Sequence, residues 1–178
     1  MEEKISELLP ELAEIEDDAL RGKVVAAYEA ALERGGWQPE DMARMPFTLL
    51  LEPCPATYLE HTRAVTRCAA AVAAVVAETY GSRLDINRDH LLAGALLHDV
   101  GKLLEYREEG GAFVKSELGR MLRHPFSGAA LAYEFGLPPA VVHVVATHAR
   151  EGEGARATPE AIIIHHADFI NFEPFKLK

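Results

Sequence analysis

Along most of the chain apolar residues return every three or four positions, the period of an amphipathic helix. Leu20, Val24, Ala27, Tyr28, Ala31 and Leu32 make one such face. Asp17-Asp18 is a start signal and Gly35-Gly36 a stop, so the pattern predicts a helix over Ala19–Arg34. The preceding stretch, Glu3–Ile15, reads as a single amphipathic helix. Gly35–Pro55 breaks the period with Pro39, Pro46, Pro53 and Pro55; it reads as a turn-rich connector whose Phe47-Thr-Leu-Leu-Leu51 packs inward. Further helices are predicted over Ala56–Tyr80, closed by Gly81, and from an Asn87 cap to about Val100. Others start at Ser116, at His124-Pro-Phe-Ser127 (running to Gly136), at Pro138-Pro139 and at Thr158-Pro159-Glu160. The last of these keeps its helical assignment although Ile162-Ile-Ile164 alone would suit a strand. Arg107–Lys115, with Gly110-Gly111, reads as an exposed loop and the candidate mobile rim.

With 178 residues the chain has the length of one domain with a sizeable core. Its 49% hydrophobic content, rich in Ala, Leu, Val and Glu, favours packed helices over sheet. The expected fold is all-α, with a helical N-terminal extension over 1–50 packing on a core domain over 51–178. No run of eighteen apolar residues is present, and the start Met1-Glu-Glu-Lys is acidic, so the reading is a soluble, cytoplasmic protein with no membrane partner. A formal net charge of −10 argues against long nucleic acid. It leaves room for a small phosphorylated substrate, because bound divalent ions bring their own positive charge into a site.

Candidate chemistry lies in His61, His98, Asp99, His124, His148 and Asp168, which come in order from separate helical segments. Imidazole and carboxylate together suit Mn, Fe, Co, Ni or Zn. Neither Cys54 nor Cys68 has a CxxC partner, which argues against a structural zinc knuckle. In the adjacent pair His98-Asp99 the imidazole anchors one ion, and a carboxylate with two oxygens can bridge it to another. Taken singly, each residue has a plain reading: His61 as a core histidine, His124 as a helix-entry residue, His148 as a surface residue, Asp99 as a cap. Lys102 is either a phosphate-facing cation or a lysine answering a helix dipole. Arg120 and Arg123 flank the approach to His124 and are candidates for substrate contact. His165, one turn before Asp168, is placed to hydrogen-bond a ligating carboxylate.

The segments Tyr58-Leu-Glu-His-Thr-Arg-Ala-Val65, Leu96-Leu-His-Asp-Val-Gly-Lys102 and His166-Ala-Asp-Phe-Ile170 resemble, in order and spacing, the H…HD…D pattern of the HD superfamily of metal-dependent phosphohydrolases. The resemblance spans about Pro55–Phe172 and implies an all-helical core. It implies that His61, His98, Asp99 and Asp168 are the shared metal ligands. His124 and His148 fall where the two-metal branches, such as the HD-GYP phosphodiesterases and the symmetrical diadenosine tetraphosphate hydrolases, hold a second ion. Ala149 stands where HD-GYP proteins repeat the histidine, and no GYP-type signature follows the HD pair, which sets the chain outside that branch.

What the resemblance implies is a metal-dependent phosphohydrolase acting on a phosphomonoester or phosphodiester, most simply of a nucleotide. Two divalent ions would lower the pKa of a bound water from 15.7 toward about 7 for attack on phosphorus. Asp99 would bridge and orient, and Lys102 would stabilise departing charge. Two rivals stand beside it: a di-iron oxygenase of the inositol-oxygenase-like branch, which uses the same ligands, and a non-catalytic ligand-binding regulatory module.

Overall fold

Local caps set where the helices begin. In the computed structural model, which describes residues 1–177, the last position of the expected 51–178 domain lies outside the described residues. The Glu3–Ile15 stretch is two pieces rather than one: α1 (Glu2–Leu8) and a 3-10 turn over Pro10–Glu14. Pro10 has no amide proton and its ring clashes with the turn before it, so the helix stops ahead of it. Helix α2 (Asp18–Gly35) begins where the Asp17 carboxylate accepts the amides of Ala19 and Leu20, and ends at Gly36 in the left-handed region, φ 74°.

A reciprocal pair caps α3 (Tyr58–Tyr80): the Thr57 hydroxyl accepts the Glu60 amide, and the Glu60 carboxylate accepts the Thr57 amide. Helix α4 (Arg88–Leu97) starts from the Asn87 side chain and stops short of Val100; after a turn, α5 (Lys102–Glu105) follows. Lys102 therefore opens a helix instead of closing one, which removes the dipole reading of its charge.

Residues 107–115 are not a loop. Strand β1 (Tyr106–Glu109) pairs antiparallel with β2 (Ala112–Lys115), Tyr106 opposite Lys115. Gly110 and Gly111 take φ 60° and 83° in the two-residue turn that such a hairpin requires. Helices α6 (Glu117–Met121), α7 (His124–Glu134), α8 (Pro139–Thr147) and α9 (Pro159–Ile170) complete the all-α frame.

Helix α4 is buried along its length from Leu91 onward and packs against α3, α8 and α9. Its Leu92 and Leu96 share one apolar cluster with Ile5, Leu9, Val24, Tyr28 and Leu32 of the N-terminal helices. A smaller cluster, including Val65, Leu91, Val144 and Ile164, ties α3, α4, α8 and α9 together. Gly94 permits the close crossing of α8, since a Cβ there would lie 2.8 Å from Val144 Cγ1. Among the described residues no helix is long and apolar enough to cross a membrane.

Candidate metal centre

Helix ends converge on one point. His61 lies in the first turn of α3 and His124 is the first residue of α7, while His98 and His148 stand just past the ends of α4 and α8. Asp168 comes from the last turn of α9. All six residues sit together, with His98, Asp99 and His148 almost completely buried.

Asp99 divides this cluster. Its Oδ2 lies 3.6 Å from His61 Nε2 and 3.3 Å from His98 Nε2; its Oδ1 lies 3.2 Å from His124 Nε2 and 3.7 Å from His148 Nε2. Asp168 Oδ1 is 3.0 Å from His61 Nε2. Two groups that could each hold a metal ion result, His61–His98–Asp99 and Asp99–His124–His148, sharing one carboxylate. Metal bonds of about 2.1 Å set neighbouring ligand atoms roughly 3.0–3.4 Å apart; the His98–Asp99, His124–Asp99 and His61–Asp168 spacings fall in that range, and the other two are a few tenths of an ångström longer.

Hydrogen bonding fixes the imidazole tautomers. Nδ1 of His98 donates to the Ala95 carbonyl at 2.6 Å, and Nδ1 of His148 donates to the Val145 carbonyl at 2.8 Å. Nδ1 of His124 donates to Glu105 Oε2 at 3.0 Å. Each Nε2 is left with a bare lone pair facing the cluster. His98 Nε2 is buried with no hydrogen-bond partner, and the Nε2 atoms of His124 and His148 face each other at 3.2 Å. Two lone pairs at that distance repel unless a cation lies against both, so the donor set fits a metal.

Charge follows the same geometry. Burial pushes His124 down to about 4, against the pull of Glu105 and Asp99. Burial alone would raise the carboxyl of Asp99, but the Lys102 ammonium beside it, first among the opposing influences, helps hold it well below the usual range. Burial likewise opposes ionisation of Asp168, and its hydrogen bond to His61 brings it down to about 2. These carboxylates are ionised at neutral pH, as ligands must be.

Other residues fall less evenly with expectation. Lys102 lines the cavity, but its Nζ donates to Asp99 Oδ2 and to the Phe47 carbonyl, each at 2.6 Å. His165 does not bond a cluster carboxylate; its Nδ1 donates to the backbone carbonyl of His148 at 2.6 Å. Arg123 reaches the cavity, whereas Arg120 does not line it. Glu105 was without a signal in the sequence. Its carboxylate accepts both the amide and the Nδ1 of His124, and its other oxygen lies 3.3 Å from Lys115 on the hairpin. Gly101 keeps the approach close, since a Cβ there would meet the His124 carbonyl oxygen at 2.1 Å.

The cluster opens into a cavity of about 230 Å³. Phe47, Phe169 and Phe172 line it, as do Lys115, Arg123, Arg150 and Lys176.

A family model described as HD domain matches residues 58–171. The chain is 34% identical over 172 residues to dihydroneopterin 2′,3′-cyclic phosphate phosphodiesterase of Methanocaldococcus jannaschii, spanning 91% of this chain and 67% of that one. It is 31% identical over 98 residues to ribonuclease Y of Thermosipho melanesiensis, and 33% identical over 96 residues to ribonuclease Y of Acidothermus cellulolyticus. These matches span 55% and 54% of this chain but 16% and 17% of the ribonucleases. No solved structure gives a significant match.

Proposed function

The chain belongs to the HD domain family of metal-dependent phosphohydrolases, and from that premise we propose that it is a two-metal phosphodiesterase acting on a small cyclic phosphate diester of nucleotide-like build. In this reading His61, His98, Asp99 and Asp168 hold one divalent ion, and Asp99, His124 and His148 a second. The observation that carries it is Asp99, whose two oxygens address different histidine groups.

Bound there, divalent ions supply an acidified water and a positive field for the phosphoryl oxygens. Asp99 orients the pair. Lys102 keeps the Asp99 carboxylate ionised and aimed, and its side chain lines the cavity that would hold the phosphate. His165 fixes the backbone at His148 instead of touching a ligand side chain. Arg123 takes the phosphate-side role, with Lys115 and Arg150 beside it; Arg120 has none. These cations concentrate positive charge at one cavity of a chain whose net charge is −10, which suits a small anion drawn from the cytoplasm better than a long polyanion. The cyclic diester comes from the methanogen relative, which matches nearly the whole chain, whereas the ribonucleases Y match about half of it.

The test is anaerobic turnover by protein loaded with Mn or Co, offered a panel of 2′,3′-cyclic phosphates and phosphomonoesters. The expected result is ring opening of a cyclic phosphate, reduced at least a hundredfold in Asp99→Ala, with the metal lost as well. Strict dependence on iron and dioxygen without ester cleavage would return the chemistry to the oxygenase branch. Full metal loading with no turnover would leave a binding module.

A further inference from the structure

Two segments that flank the matched stretch 58–171 meet at the cavity: 47–50 before it and 172–176 after it. The Phe47 ring is buried and stacks on His61, centroids 4.4 Å apart at 25°. Phe172 meets Phe47 edge-on at 5.9 Å and 81°, and Lys176 Nζ sits 3.8 Å over the Phe172 ring. Phe169, one turn earlier on α9, lines the same side. Hydrolysis itself needs none of these rings.

The cavity is lopsided. Phe47 touches His61, and Phe169 and Phe172 follow Asp168 along the chain, so the aromatic side lies by one metal group. Lys115 pairs with the Glu105 that grips His124, Arg123 precedes His124 and Arg150 follows His148, so three of the five basic residues lining the cavity lie by the other, while Lys176 covers Phe172 and Lys102 is bonded to Asp99. A phenyl face offers no hydrogen bond and recognises by area and stacking, which every planar heterocycle can supply. Phe172 is only half-buried, yet its ring is held between Phe47 and Lys176, so little ordering remains to be done when a ligand arrives.

Resting on the phosphodiesterase reading for its chemistry, we propose that Phe169 and Phe172, backed by the buried Phe47, form a stacking wall that selects substrates by a flat heterocycle. The heterocycle lies on the His61–Asp168 side and the remaining anionic charge faces Lys115, Arg123 and Arg150. Phe172, supplied from outside the family stretch, is the specificity-determining residue.

Calorimetry on Mn-loaded full-length protein tests it, with guanosine 3′-monophosphate and ribose 5-phosphate as probes beside turnover of guanosine and glycerol cyclic phosphates. Wild type is expected to bind the guanosine probe at least about tenfold more tightly than the ribose probe. Phe172→Ala and Phe172→Leu should shrink that ratio about tenfold, and Phe172→Trp should restore it. Leucine keeps most of the apolar volume without a ring, so loss in both variants with Mn affinity and melting temperature as in wild type assigns the effect to the ring. No ring preference in wild type, or a ratio unchanged in Phe172→Ala and Phe172→Leu, would overturn the wall. Ring preference without any turnover would overturn the hydrolase reading and leave the wall standing; equal turnover of both cyclic phosphates with no ring preference would do the reverse.

Discussion

Glu105 bonds to His124 rather than to the shared Asp99 carboxylate, and so decides how that imidazole presents itself. By accepting Nδ1–H it keeps the lone pair on Nε2, where the His148 ring and Asp99 Oδ1 converge. Removing such a partner typically weakens a metal site about 10- to 100-fold. Glu105→Ala should therefore weaken the second of two ions by about that factor and spare the first, read by titration with Mn and a competing chelator; equal weakening of both would deny it this role. Tyr106, beside it on the hairpin, reports on burial instead. Burial, helped by the carboxylates of Asp99 and Glu105 and opposed by Lys102, pushes its hydroxyl up to about 12 from 10.0. The folded chain thus holds that proton after the unfolded chain has lost it. Stability is whole below pH 10 and falls as pH climbs toward 12, and Tyr106→Phe should flatten this alkaline loss in thermal melts. In the sequence the ordered His and Asp residues were legible, because ligand types are few. Glu105 was not, being an ordinary acid nineteen residues from its partner; Phe47 reads from the sequence as packing inward, as it does, but nothing in a proline-rich connector points to its contact with His61.

Helix starts were readable because a cap is a local bond. Asp17, Asn87, Ser116 and Thr158 each accept an amide within the next three residues, whatever the rest of the chain does. The cap at Thr57 matters most, since it opens the turn that carries His61. Thr57→Ala should cost about 1 kcal/mol and Thr57→Ser almost nothing, measured as a fall in melting temperature of about 2–4 °C for the alanine variant alone. Besides the short α5, the break at Pro10 and the hairpin escaped. A helical period runs straight through Leu9 and Pro10, but the proline ring ends the helix there. The hairpin hid because Arg107, Glu108 and Glu109 carry no apolar alternation, although Gly110-Gly111 marked its turn.

In the whole molecule the N-terminal helices and α4 share one apolar cluster, so the helical extension and the helix before the His-Asp pair stand or fall together. The centre gathers buried imidazoles and carboxylates, with His98 Nε2 lacking a hydrogen-bond partner, and ions held there should stabilise the folded chain as a whole. At a hundredfold excess over the dissociation constant the gain is about 2.7 kcal/mol, or about 5–10 °C in melting temperature for a chain of this size. Chelation should lower the transition by that amount and Mn or Co should restore it; an unchanged transition after verified removal of metal would contradict the centre. Which helix ends meet, and that the connector at 47–50 and the tail at 172–176 reach the same cavity, is a matter of tertiary packing that no local pattern encodes.

That last arrangement bears on inheritance. The residues at the metal cluster all lie within 58–171, while Phe47 and Phe172 lie outside it. Phe47 is tied to the cluster through its stack on His61 and its carbonyl's bond to Lys102, whereas Phe172 meets it only through Phe47, so a change at Phe172 can reshape the mouth of the cavity at less cost to the centre. A graft of residues 58–171 alone would carry the six clustered side chains and leave behind the ring that packs on His61.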